Sequence, residues 1–241
     1  MTASDFKRFI EIGVKFAKCN QISTIVKIEN GKYGLTPTNH SAVLYMYSDM
    51  KLNGIYDIMD IYKAVRTGTS LIEETEEGLV IKREDGQMIV VKKLDATMPS
   101  IPNMDIKIDM YSGVEARALK SIFSSMEYSS VRFVNDNTMY PRLFLAFSDR
   151  DSVDVGMSKI TAEILHVSSM HEKTATVSSH RVKAFKDILD ILYPDDMLEI
   201  FTRSNGPMEI ALNISHASMI PVLKDGEGFG LRYIIPITQH V

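Results

Sequence analysis

The order of helices and strands expected along this chain occurs twice, and that duplication constrains its fold more than any single motif. In the first half, Phe6, Phe9, Ile10, Gly13, Val14 and Ala17 follow the spacing of a helix with one buried face. Ser4 or Asp5 is placed to cap its start. Strand-like runs over 24–29 and 33–36 come next, joined at Asn30-Gly31. Both residues tolerate positive φ, so this dipeptide marks a hairpin. A strand over 42–47 precedes a second helix that places Ile55, Ile58, Met59, Tyr62 and Val65 on one face. Strands over 79–83 and 87–93, turning at Asp85-Gly86, complete the half.

Residues 94–103 break this pattern. Pro99 and Pro102 have no backbone donor, so the stretch reads as an extended connector. The same order then returns. A strand over 106–110 leads to Ser112-Gly113-Val114-Glu115, which has capping-box spacing, and to a helix burying Ala118, Leu119, Ile122, Phe123 and Met126. Strands are expected over 130–134, 143–147, 153–157, 162–167 and 174–178. A fourth helix turns Val182, Phe185, Leu189 and Leu192 inward and ends at Pro194. Runs over 198–202, 208–214 and 231–237 close the chain. The expected fold is α+β, with two similar domains, 1–93 and 105–241, joined by 94–104.

At 241 residues and 45% apolar content, the chain can bury the core of one or two domains. No stretch approaches the roughly 20 apolar residues that span a bilayer, and the amino terminus has no signal-peptide core. Cys19 is the only cysteine, which excludes an internal disulfide and a cysteine-rich zinc site. An intracellular protein is the simplest expectation.

The net charge is -4, yet the four helical stretches carry clustered cations. These are Lys7, Arg8, Lys15 and Lys18, then Lys63 and Arg66, then Arg117 and Lys120, and lastly Arg181, Lys183 and Lys186. A segregated basic surface can hold a polyanion even on an acidic chain. Any one such face, taken alone, reads more readily as a solvated surface.

Chemistry-bearing motifs are missing or incomplete. The glycine-rich run over 224–230 lacks the Gly-Lys-Ser/Thr ending of a phosphate loop and reads as a turn. Glu73, Glu74, Glu76 and Glu77 read as a solvated turn rather than a cation site. The six histidines form no metal-binding pair, Cys19 has no identifiable base, and no Gly-x-Ser-x-Gly elbow occurs. No catalytic group, cofactor or metal is expected.

Four stretches resemble the sliding-clamp family typified by proliferating cell nuclear antigen (PCNA), of archaeal, eukaryotic or viral type. DFKRFIEIGVKFAK is similar to the family's opening helix with its basic pair, here Lys7-Arg8. GLTPTNHSAVLYM is similar to the stretch in which a histidine, here His40, precedes the third strand. SIPNMDIKIDMYSGVEARAL resembles the end of the interdomain connector, and GPMEIALNI with LRYIIPI resembles the closing strands. Their order over the whole chain, more than any one motif, carries the resemblance.

The resemblance implies a DNA clamp fold, with two helices packed on antiparallel sheets in each domain. It implies three subunits closing head to tail into a ring, with Gln87–Lys93 and Ile160–Val167 as candidate edge strands. The eleven cations would face double-stranded DNA without reading its sequence. Implied partners are a DNA polymerase, other proteins carrying clamp-binding motifs, and a clamp loader. Their peptides would dock at His40, Met98, Pro99, Ile101, Pro207, Ile235, Pro236 and Ile237. For Ile101 core packing, and for Pro99 loop stiffening, are equally open readings. The alternative function is a clamp-fold interaction protein, or decoy, that binds partner peptides without encircling DNA.

Overall fold

The computed structural model describes residues 3–37, 42–65, 69–98, 110–124, 130–136, 142–148, 154–160, 163–167, 173–202, 208–213 and 229–235. They divide into two compact units. The first takes its described residues from 3–37, 44–98 and 229–231, the second from 42–43, 110–213 and 232–235.

In the first unit, α1 (Ala3–Cys19) presents Phe6, Phe9, Ile10 and Phe16 to the core, each fully buried. The expected tight turn joins β1 (Ile25–Ile28) to β2 (Lys32–Leu35), but the expected hairpin is corrected: the two strands share only the Glu29–Lys32 bridge and then enter different sheets. Asn30 and Gly31 both have positive φ, at 49° and 75°, and Glu29 and Lys32 exchange backbone hydrogen bonds of 2.9 and 3.0 Å around them. β2 pairs antiparallel with β3 (Val43–Ser48). β1 pairs antiparallel with β4 (Gly54–Asp57), which runs straight into α2 (Ile58–Ala64). The expected second helix is thus corrected at its start. Ile55 lies on a strand, because pairing with Lys27 satisfies its backbone where a helix would have left β1 without a partner. Asp57 then caps α2, its carboxylate accepting from the Met59 amide at 2.9 Å. A three-stranded antiparallel sheet, in the order β5 (Thr69–Glu74), β6 (Gly78–Arg83), β7 (Met88–Lys92), completes the unit. The turn after β6 closes between Arg83 and Gln87 at 2.9 Å, with Gly86 at φ 82°.

Helix and sheet meet closely where Tyr33 lies under α1. Its hydroxyl donates to the Phe9 carbonyl at 3.0 Å, and its ring sits edge-on to Phe9 at 5.2 Å. Gly13 makes that approach possible, since a Cβ there would lie 2.3 Å from the Tyr33 hydroxyl oxygen.

The second unit repeats the scheme. β8 (Met110–Glu115) leads into α3 (Ala116–Ser124), and β9 (Ser130–Asp136), β10 (Arg142–Ser148), β11 (Asp154–Ile160), β12 (Glu163–Val167) and β13 (Lys173–Ser178) follow. α4 (Ser179–Leu189) precedes β14 (Met197–Thr202) and β15 (Met208–Asn213). One sheet runs β11-β10-β9-β13, and β12, β8, β14 and β15 lie consecutively in another. Ser112–Glu115 is corrected from a helix cap to part of β8: its residues pair with Met197–Ile200 of β14, and that ladder outweighs the local capping geometry. The expected strand over 106–110 lies outside the described residues except for Met110.

β16 (Phe229–Ile235) supplies residues 229–231 to the first unit and 232–235 to the second. In the second unit, Tyr233 stacks on Phe185 at 5.3 Å and donates to the Arg181 carbonyl at 2.7 Å. A buried tyrosine therefore anchors a helix carbonyl in each unit.

Candidate nucleic-acid interface

Each unit packs its two helices side by side, α1 against α2 and α3 against α4. Their apolar faces are spent on the core, with Phe6, Ile61, Leu119 and Phe185 all fully buried, which leaves the polar faces to carry the cations. On α1, Lys18 is exposed and Lys7 and Lys15 are half-buried. Arg8 differs: it is 7% exposed, and its guanidinium lies 5.6 Å over the Phe229 ring. This cation is a packing group, held by charge–quadrupole attraction within the first unit.

On α2, Lys63 is exposed and forms an ion pair with Asp60 at 3.2 Å. On α3, exposed Arg117 pairs with Glu115, and Lys120 reaches Asp190 at 3.0 Å. On α4, Arg181 and Lys186 are half-buried. Lys183 lies on α4, its side chain outside the described set, and Arg66 lies outside the described residues. The three ion pairs are solvent-exposed and contribute little to stability, so phosphate can compete for their cations at small cost.

A feature the sequence reading missed adjoins Lys63. An open cleft of 560 Å³ lies between α2 and β7, with Asp57, Asp60, Lys63, Arg83, Val90 and Leu94 in its lining. Arg83 closes it from the sheet, donating to the Ala64 carbonyl at 3.2 Å and to the Gln87 side chain at 2.6 Å. The only signal in the sequence was a basic residue beside a turn, which says nothing of the helix it reaches.

Of the residues expected in the peptide pocket, Met98 is half-buried and Ile235 fully buried. His40, Pro99, Ile101, Pro207, Pro236 and Ile237 lie outside the described residues. Among the described residues, no cluster of His, Cys, Asp or Glu is arranged to hold a metal. Glu73 and Glu74, expected in a turn, lie on β5, where they pair with Lys82 at 3.5 Å and Lys93 at 2.9 Å.

Two units that each pair two helices over antiparallel sheets make up the DNA clamp fold, the α+β class the sequence led us to expect. Solved structures that share it include PCNA sliding clamps. The chain is similar to PCNA from Thermococcus kodakaraensis, with a TM-score of 0.69, 14% identity, and coverage of 98% of this chain and 97% of that one. A PCNA2–PCNA3 complex from Sulfolobus tokodaii matches with a TM-score of 0.62 and 13% identity, again over 98% and 97%. PCNA from A. fulgidus, solved with the C-terminal region of FEN-1 bound, matches with a TM-score of 0.67 and 15% identity, over 100% of this chain and 98% of that one. No family model matches the sequence, and no curated protein does. At such identities the likeness establishes the fold.

Proposed function

We propose that this protein is a DNA sliding clamp: a non-enzymatic ring that encircles duplex DNA and tethers a polymerase and other replication or repair proteins to it. The observation that supports this most is the clamp fold spanning the whole chain, with basic residues on all four helices. Lysine and arginine on helix faces attract phosphate without reading bases, which suits a ring that must hold and still slide. The contacting set is Lys7, Lys15, Lys18, Lys63, Arg66, Arg117, Lys120, Arg181, Lys183 and Lys186, with Arg8 supporting α1 from within.

The ring is a head-to-tail homotrimer of two-domain subunits, 1–93 and 105–241 joined by 94–104, placed on DNA by a clamp loader inside the cell. Partner peptides dock beside the connector, at His40, Met98, Pro99, Ile101, Pro207, Ile235, Pro236 and Ile237; that a clamp of this fold takes a partner segment is supported by the A. fulgidus PCNA solved with the C-terminal region of FEN-1 bound. Tethering raises the local concentration of an enzyme that has let go of its template. Light scattering combined with primed-template synthesis tests this reading. A trimer that lengthens polymerase runs is expected; a stable monomer without effect on run length contradicts it.

The exposed pairs at Lys63, Arg117 and Lys120 favour one second reading, a decoy whose helix cations are internally neutralised. Charge reversal at Lys7, Lys15 and Lys18 separates the two. A clamp loses activity, whereas a decoy keeps its affinity for partner peptides.

A further inference from the structure

The turn between α4 and β14 holds an aromatic ring in solvent. Its sequence, Tyr193-Pro194-Asp195-Asp196, suits a β-turn with proline fixing the second position. The Asp196 amide donates to the Tyr193 carbonyl at 3.0 Å, and the Tyr193 amide donates to the Asp196 carboxylate at 2.8 Å. The start of α3 braces the turn from outside it. Arg117 donates its amide to the Pro194 carbonyl at 3.0 Å, and Ala116 donates its amide to the Asp196 carbonyl at 2.9 Å. Fixed in this way, Tyr193 is still 51% exposed, and Met197 just beyond the turn is 44% exposed. An aromatic side chain on a braced turn loses little entropy on contact, which is the property of an interface anchor.

The charge beside this anchor is one-sided. Asp187, Asp190, Asp195, Asp196 and Glu199 follow one another with no lysine or arginine between them. Asp190 is engaged by Lys120 at 3.0 Å and Asp196 by the turn itself, whereas Asp195, exposed at the tip, has no ion pair among the described residues. We propose that this turn docks an arginine- or lysine-bearing segment of a partner protein, with Tyr193 as its anchor. A cation over the phenol ring gains charge–quadrupole attraction, Asp195 supplies the opposite charge, and Met197 offers an adaptable apolar contact. The docking stands whether or not the chain closes into a ring.

Methyl-labelled methionine in the full chain reads this surface by NMR. Met197 lies beside the turn, and Met88, 63% exposed in the first unit, is the remote control. The probe is a capped, arginine-rich octapeptide, compared with its citrulline counterpart, which keeps the shape without the charge. A saturable shift of the Met197 methyl, absent at Met88, is expected with the arginine peptide and not with the citrulline one. Tyr193→Ala should weaken binding about fivefold, the scale of one exposed cation–π contact, while Tyr193→Phe, which keeps the ring, should leave it unchanged. Asp195→Asn should weaken it about twofold, as loss of an exposed ion pair would. No shift at millimolar peptide, equal binding of the citrulline peptide, or affinity indifferent to both Tyr193→Ala and Asp195→Asn overturns the proposal. A Met197 shift that follows protein concentration without peptide assigns the turn to a second copy, and one produced by duplex DNA instead of peptide assigns it to nucleic acid; either result also overturns it.

Discussion

Tyr33 and Gly13 meet where α1 lies on its sheet, and their contact leaves no room for a methyl group. Gly13→Ala should therefore lower stability by about 1–3 kcal/mol in denaturant unfolding, the usual cost of an overpacked core. Tyr33→Phe should cost about 1 kcal/mol, from the lost bond to the Phe9 carbonyl. The double variant should fall short of the sum, because removing the hydroxyl relieves the closest clash. Burial also governs the ionisation of these tyrosines. Burial, aided by the Glu74 carboxylate, pushes the Tyr56 phenol up to about 12, and burial alone raises Tyr33; Tyr233 is raised too, its burial outweighing the nearby Arg181 charge. A raised folded-state pKa means that the native protein keeps protons the unfolded chain releases. The associated stability is fully present below about pH 10, the ordinary tyrosine value, and is lost as pH rises towards 12. Unfolding followed from pH 8 to 12 should show stability falling only above about pH 10. Tyr56→Phe should flatten that fall. Tyr33 reads as one more apolar residue in a strand; its bond to a helix carbonyl was not legible, because it joins positions 24 residues apart.

At the scale of elements, what the sequence made legible was local chemistry. The Asn30-Gly31 turn was readable because it demands positive φ at both residues, and few pairs tolerate it; that its strands part into different sheets was not. The face of α1 was readable because its period is unbroken. β4 was hidden because Ile55 falls in helical step with Ile58 and Tyr62, and β5 because its glutamates resemble a solvated turn. Ser112–Glu115 satisfies a capping pattern, yet its partner lies more than 80 residues further along the chain, a fact no local pattern holds. Asp57 marks the true start of α2, and Asp57→Ala should cost about 1 kcal/mol while leaving β4 paired. The eleven cations were legible as residues, but burial sets Arg8 apart from the rest. Removing Lys18 or Lys120 should each reduce the slope of log affinity against log salt by about 0.9 for duplex DNA, if each neutralises one phosphate. Arg8→Ala should instead lower stability through lost packing on Phe229. Fluorescence titrations over a range of salt, paired with thermal melts, separate the two effects.

At the scale of the whole molecule, the proposed clamp would let a protein of net charge -4 serve a polyanion through its two similar units. The repeat gives each unit a pair of cation-bearing helices, and ring closure would gather the pairs onto one inner wall. Head-to-tail closure would also remove sheet edges such as β7, where Met88 and Val90 are 63% and 45% exposed. The central claim is topological, since a ring holds DNA by enclosure and not by affinity. It is tested most directly on a linear duplex biotinylated at both ends, with the protein threaded on first and the ends then capped by streptavidin. The account predicts retention through a high-salt wash only when capping follows threading, and release when a restriction enzyme cuts between the caps. Retention that ignores the order of capping and survives cutting, or no retention at all, would contradict it.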